Sequence, residues 1–158
     1  MMRHKQAPKR EIEGDLIYKN KQVAKFINYL MKDGKKTVAQ NVLYSTFNLL
    51  SKKEVDPIST FEKALSNVGP KQEVKAKRVG GASYQIPMEV RPERRSALAM
   101  RWIVDAARKR SNKDYKVFEE KLAAELLDAS AEQGEAIRKR DAATRMAQAN
   151  RAFSHFKW

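Results

Sequence analysis

Residues 73–110 read EVKAKRVGGASYQIPMEVRPERRSALAMRWIVDAARKR. Apolar and polar residues alternate over 73–90, which is typical of β-strands, and from Pro92 onward the apolar residues recur at helical spacing. The adjacent glycines Gly80 and Gly81 divide the alternating part in two, and both can adopt the positive φ of a tight hairpin turn. The stretch therefore predicts a β-ribbon at about 73–90 followed by a helix that begins at Pro92.

Two strand registers are compatible with this turn. A two-residue loop would pair Lys77 with Tyr84. A three-residue loop with a bulge beside the glycines would instead pair Arg78 with Tyr84. It would also place Ala76 opposite Ile86 and so gather the apolar residues on one face of the ribbon. We therefore expect the three-residue loop.

Helical periodicity extends on both sides of the ribbon. Asp56 is a suitable N-cap for the third helix, with Pro57 at its first position, and Gly69 and Pro70 are expected to end it. Apolar stripes at helical spacing occupy residues 23–30, 39–50, 58–68, 92–110, 115–129 and 132–150. The predicted fold is mainly α, a single domain of about six helices with one projecting β-hairpin after the third.

The two ends of the chain have a different character. Residues 1–19 have no apolar periodicity and are expected to form an extended basic arm, whereas residues 20–150 form the helical domain. The tail at 151–158 interleaves cations with Phe153, Phe156 and Trp158. Such a tail either docks on the protein core or stacks on RNA bases, and docking is the commoner outcome.

Composition limits the function. Lys and Arg total 33 of the 158 residues against 19 Asp and Glu, a formal net charge of +14, which indicates a polyanionic partner. With no cysteine, and histidine only at His4 and His155, we expect no metal site and no cofactor. No plausible catalytic cluster is present, so we expect no enzyme. No apolar run is long enough to span a membrane.

The charge is also segregated along the chain. Residues 21–53 carry seven cations and one acid, and residues 71–95 carry seven cations and three acids. Residues 115–135 reverse the sign, with six acids and two cations. The fifth helix is therefore expected to face either water or a basic neighbour.

The helix after the ribbon carries the clearest candidate interface. Arg94, Arg101 and Arg108 are seven residues apart, so they drift by only about 20° per step and lie on one helix face. Met100 and Ile103 lie on the opposite face. Guanidinium groups bind phosphate oxygens and stack on bases, so the stripe favours nucleic-acid contact over the alternative of a solvated helix face.

The hairpin is the second candidate. Isolated two-stranded ribbons are marginally stable, so its base is expected to pack on the helices and its tip to project. An exposed Arg78 and Tyr84 would offer charge to a phosphate and a ring to a base. The alternative is that Tyr84 only covers the turn.

Three stretches carry a resemblance to a known family: GKK…VLYS within 34–45, the whole of 73–110, and the ending RMAQANRAFSHFKW. Together they resemble the bacterial-type small-subunit ribosomal protein seven family over about residues 20–158. The resemblance implies a six-helix domain with a projecting ribbon, which binds the 3′ major domain of small-subunit ribosomal RNA. It also implies a protein that nucleates assembly of the subunit head and lines the tRNA exit site near the messenger.

The resemblance and the cation pattern together give the expected site residues. By the resemblance, the ribosomal RNA contacts are Lys35, Lys36, Lys75, Lys77, Arg78, Arg94, Arg95, Arg101 and Arg108. The basic arm and the end of the fourth helix add Arg3, Lys9, Arg10, Lys109 and Arg110. The hairpin tip, which by the resemblance would lie near exit-site tRNA and the neighbouring platform protein, comprises Arg78, Gly80, Gly81 and Tyr84.

The resemblance also implies neighbouring head and platform proteins as partners, and no membrane. Gly69 stands where the family usually has a larger or basic residue, and Lys77 stands where arginine is usual. The cytoplasm is the expected location, because the amino-terminal arm lacks the composition of an organelle transit peptide. The alternative that remains open is a helical regulator that binds duplex DNA, whereas an RNA-modifying enzyme would need a cofactor loop or a catalytic cluster that the sequence does not show.

Overall fold

The computed structural model describes residues 10–156, so Arg3, Lys9 and the last two tail residues lie outside the described part. Within it the fold is mainly α, and a two-stranded antiparallel hairpin follows the third helix, as predicted. The elements are α1 (Lys21–Leu30), α2 (Lys36–Lys52), α3 (Pro57–Val68), β1 (Gln72–Val79), β2 (Ala82–Glu89), α4 (Pro92–Lys109), α5 (Phe118–Ser130), α6 (Glu135–Ala149) and a 3-10 helix (Arg151–Phe156).

The chain separates into two compact units, Met1–Gln40 and Asn41–Trp158, and the boundary lies within α2. In the first unit, Asn20 caps α1 by accepting a hydrogen bond from the backbone N–H of Gln22 at 2.7 Å. The apolar stripe of α1 is buried, as its periodicity predicts. The division into an arm, a helical domain from residue 20 to 150 and a tail stays a prediction.

The second unit is built around α5, which packs against α3, α4 and α6. Residues 121–126 are all buried, and they include the charged Lys121 and Glu125. Of the two alternatives for this acidic helix, water or a basic neighbour, the second is observed for Glu125, because Arg110 at the end of α4 pairs with it.

The ribbon adopts the register that we did not favour. Lys77 lies opposite Tyr84 and the loop contains only Gly80 and Gly81, so the predicted three-residue loop with a bulge was wrong. The glycines have φ values of 58° and 88°. Two positive φ values form a turn whose twist matches that of the paired strands, which explains why the two-residue loop is preferred.

The ends of the helices follow local capping. Asp56 accepts a hydrogen bond from the backbone N–H of Ser59 at 3.1 Å, which confirms the predicted start of α3. The last helix, α6, begins three residues later than predicted, because Glu132 and Gly134 have φ values of 59° and 95°. A residue with positive φ cannot continue a right-handed helix.

Candidate nucleic-acid interface

The arginine stripe of α4 lies on the exposed side of the helix. Arg94, Arg101 and Arg108 are all exposed. Met100 and Ile103 on the other side are at most 1% exposed, because they pack into the core of the second unit. The helix therefore presents its guanidinium groups outward as the sequence predicted, over about two turns between successive arginines.

The first turn of α4 is fastened to the ribbon. The Nε of Arg94 donates to both carboxylate oxygens of Glu73 on β1, at 2.7 and 2.8 Å. The Nζ of Lys75 lies 3.8 Å from the same carboxylate. The Arg94 side chain remains 54% exposed. Glu73 thus neutralises part of the local charge and holds the Arg94 head group beside the ribbon.

Arg95 faces inward, unlike its neighbour. Its Nε donates to the carbonyl oxygen of Gly69 at 3.0 Å, and its Nη2 donates to the carbonyl oxygen of Ser66 at 3.1 Å. Both acceptors belong to the carboxyl-terminal end of α3. The sequence did not reveal this role, because the acceptors are backbone atoms 26 and 29 positions away along the chain.

Arg110 also pairs with other residues of the protein. Its Nε donates to Glu125 at 2.8 Å and its Nη2 pairs with Asp128, both on α5. Burial by itself would lower the pKa of Arg110, but the hydrogen bonds to Asp128 and Glu125 outweigh it and raise the pKa above the ordinary value. Glu125 is 1% exposed and also accepts from the backbone N–H of Ala136 at 3.1 Å. This cluster joins α4, α5 and α6.

The tail docks on the ribbon. The Tyr84 ring lies 5.3 Å from the Phe153 ring and 5.4 Å from the Phe156 ring, measured between centroids. The Nζ of Lys77, which is cross-strand from Tyr84, donates to the carbonyl oxygen of Phe156 at 3.1 Å. The described part of the tail, residues 151–156, therefore docks on the protein as expected, but on the ribbon, where it partly covers the Tyr84 ring.

The remaining expected contacts are exposed. Arg78 at the ribbon tip is exposed, and its Nε lies 3.4 Å from the Gly81 carbonyl oxygen. The other exposed residues of the predicted set are Arg10, Lys35, Lys36, Lys75, Gly80, Gly81 and Lys109. Lys35 and Lys36 belong to the first compact unit, at the start of α2. In the second unit, the exposed cations of the predicted set thus lie on α4 and on the ribbon, and the Arg94–Glu73 pair joins these two elements.

Comparison with known proteins identifies the family. Residues 2–151 match the family described as Ribosomal protein S7p/S5e. The chain belongs to the ribosomal protein S7p/S5e family. It is 55% identical over 158 residues to the small ribosomal subunit protein uS7 of Thioalkalivibrio sulfidiphilus, 54% over 159 residues to that of Nitrosomonas europaea, and 51% over 160 residues to that of Phenylobacterium zucineum. Each match covers the whole of both chains.

Family membership confirms the resemblance and settles the coarse function. As a member of the S7p/S5e family, the chain is a structural constituent of the small ribosomal subunit, and it is located in the cytoplasm. The family consists of structural ribosomal proteins and not of enzymes. In residues 10–156, none of the helices combines the length and apolar character that crossing a membrane requires.

Proposed function

We propose that the chain binds the 3′ major domain of small-subunit ribosomal RNA through the cationic face formed by α4 and the ribbon. The observation that supports this most directly is the exposed stripe of Arg94, Arg101 and Arg108 on a helix whose opposite face is buried. Guanidinium groups bind phosphate oxygens through two parallel hydrogen bonds, and the buried opposite face of the helix holds the stripe on the outside of the protein.

The mechanism that we propose is architectural. Several RNA helices that converge at a junction repel one another through their phosphates, and a protein that neutralises those phosphates lowers the cost of convergence. With a net charge of +14, the chain supplies the cations. By fixing the angles between RNA helices, it would nucleate assembly of the subunit head and provide contacts for neighbouring head and platform proteins.

The test is a pair of variants of equal charge. Replacing Arg101 and Arg108 with Ala should weaken binding to a 3′ major-domain fragment. It should also reduce the magnitude of the slope of log affinity against log salt concentration by roughly two. The matched control replaces Lys63 and Arg138, two exposed cations outside the stripe, and should leave the slope nearly unchanged. An equal effect of both pairs would remove the α4 stripe from the interface.

We further propose that the ribbon tip lies near exit-site tRNA and the adjacent mRNA. Arg78 and both glycines of the turn are exposed there, whereas the Tyr84 ring packs against the tail. Since the chain has no cysteine, Ala82→Cys supplies a single attachment point for an RNA-cleaving reagent. In assembled ribosomes the reagent should cleave exit-site tRNA, and the same reagent at Lys63→Cys should not. If the reagent at position 82 cleaved neither the tRNA nor the mRNA, this placement would be contradicted.

A further inference from the structure

The carboxyl-terminal end of α3 is held by guanidinium groups from two other helices. Ser66 and Asn67 lie in its last turn, where carbonyl oxygens have no partner within the helix. Arg95 of α4 donates to the Ser66 oxygen at 3.1 Å, and Arg140 of α6 donates to the Asn67 oxygen at 3.0 Å. Cations at this end of a helix also interact favourably with its dipole.

The same site leads directly into the ribbon. Arg95 donates from Nε to the Gly69 oxygen at 3.0 Å. Only Pro70 separates that residue from Lys71, whose carbonyl oxygen accepts from the Val90 N–H at 3.0 Å and closes the root of the ribbon. The guanidinium of Arg95 therefore fixes the chain direction immediately before the ribbon begins.

In this chain Gly69 leaves the space that the Arg95 side chain occupies, and its own backbone dihedral angles do not call for glycine. Its φ of −65° and ψ of 117° are accessible to any L-amino acid. A Cβ at this position would lie 2.7 Å from Cγ and 2.8 Å from Nε of Arg95, too close for either atom to stay in place. It would also lie 3.2 Å from the Leu65 carbonyl oxygen, a tight contact that does not involve Arg95.

The groove beside this site fits structural arginines better than a phosphate site. It has a volume of about 560 Å³, and its charged lining consists of the cations Lys71, Arg95 and Arg140 and the acids Glu132 and Asp141. Arg140 pairs with Asp141 at 2.7 Å. Both guanidinium groups are thus directed to backbone carbonyls or to a carboxylate, and acids border the same groove.

We propose that Arg95 is a positioning residue: with Gly69 and Arg140 it forms a clamp on the end of α3 that sets the direction of the ribbon, and it does not contact phosphate. The effect of this clamp on RNA binding rests on the proposed function: a ribbon held in one direction presents its cations to the RNA in one arrangement. It replaces the expectation that Arg95 meets ribosomal RNA directly.

The clamp is tested first in the free protein, independently of RNA. Spin labels on Ala82→Cys at the ribbon tip and Lys63→Cys on α3 are the only thiol-linked groups in a chain without native cysteine. The doubly labelled chain with Arg95 intact should give one narrow distribution of the distance between the two spin labels. Arg95→Ala should broaden it at unchanged helix content, and Arg101→Ala, which removes the same charge, should not. A distribution as narrow in Arg95→Ala as in the wild type would overturn the proposal.

A double-mutant cycle tests the role of Gly69. Gly69→Ala should lower the thermal midpoint by at least roughly 2–4 °C in a chain of this size. In the Arg95→Ala background the same substitution should cause less than half that shift, because only the Leu65 contact remains. Equal shifts in both backgrounds would show that Gly69 does not serve Arg95.

Binding to the 3′ major-domain fragment separates positioning from contact. Arg95→Ala should lose affinity several-fold with an unchanged salt slope, and Arg95→Lys should not restore it, because lysine keeps the charge but loses the fork. Arg101→Ala should reduce the slope by about one. A reduced slope in Arg95→Ala that Arg95→Lys restores would make Arg95 a phosphate contact. If the wild-type chain did not prefer this fragment over an unrelated RNA, that result would count against the proposed function. The spin-label distances would still show whether the clamp sets the direction of the ribbon.

Discussion

Arg108 and Arg110 lie two positions apart at the end of α4, and a helix turns by about 200° over that interval. Arg108 is exposed, whereas the Arg110 side chain is 18% exposed and pairs with Glu125 and Asp128. The same residue type therefore serves two purposes, and the helix rotation decides which one.

Replacing Arg110 should destabilise the protein far more than replacing Arg108. Arg110→Ala leaves the carboxylate of Glu125 buried without its cation, which typically costs about 3–5 kcal/mol in the free energy of unfolding. Arg108→Ala removes an exposed side chain and should change that energy by no more than about 1 kcal/mol, the upper end for an exposed charged group. Urea unfolding of both variants measures the difference, and equal values would show that the Arg110 cluster carries little stability.

For single residues, the sequence predicted the exposed arginine stripe of α4 but not which of the other arginines face inward. The exposed stripe followed from a spacing of seven. The inward roles of Arg95 and Arg110 did not, because their partners are backbone carbonyls of α3 and carboxylates of α5, far away in the sequence. Such pairings depend on tertiary packing, and helical periodicity carries no signal for them.

The ribbon illustrates the same limit for an element. The existence and position of the hairpin were predictable from alternation and the glycine pair, but its register was not. We assumed that apolar residues gather on one face, whereas Lys77 and Tyr84 share a face that the tail covers. Lysine can cover apolar surface with its aliphatic stem, so alternation alone does not define the packed side.

The turn gives a prediction for the element. Gly80→Val with Gly81→Val places β-branched residues at φ values of 58° and 88°, a strain of about 1–3 kcal/mol at each position. The ribbon tip should exchange its amide hydrogens faster while the helical signal in circular dichroism stays unchanged. Gly80→Asn is the matched control, since asparagine tolerates this conformation. Loss of helical signal in the valine variant would mean that the turn supports the core.

For the whole molecule, composition and family lead to the same function. A net charge of +14 without cysteine or a catalytic cluster predicted a polyanion-binding protein. Membership in the S7p/S5e family makes it a ribosomal protein of the small subunit. The net charge does not specify which RNA domain the chain binds, because the affinity that charge supplies is independent of RNA sequence. The family assignment names the subunit and not the RNA domain.

The central claim is tested most directly by comparing two RNAs. The purified chain is titrated with an isolated 3′ major-domain fragment and with an unrelated structured RNA of equal length, over a series of salt concentrations. We expect a preference of about a thousandfold for the ribosomal fragment that persists above about 150 mM salt. Equal affinity for both RNAs, lost together as salt increases, would contradict it and leave only a general attraction between the basic chain and RNA.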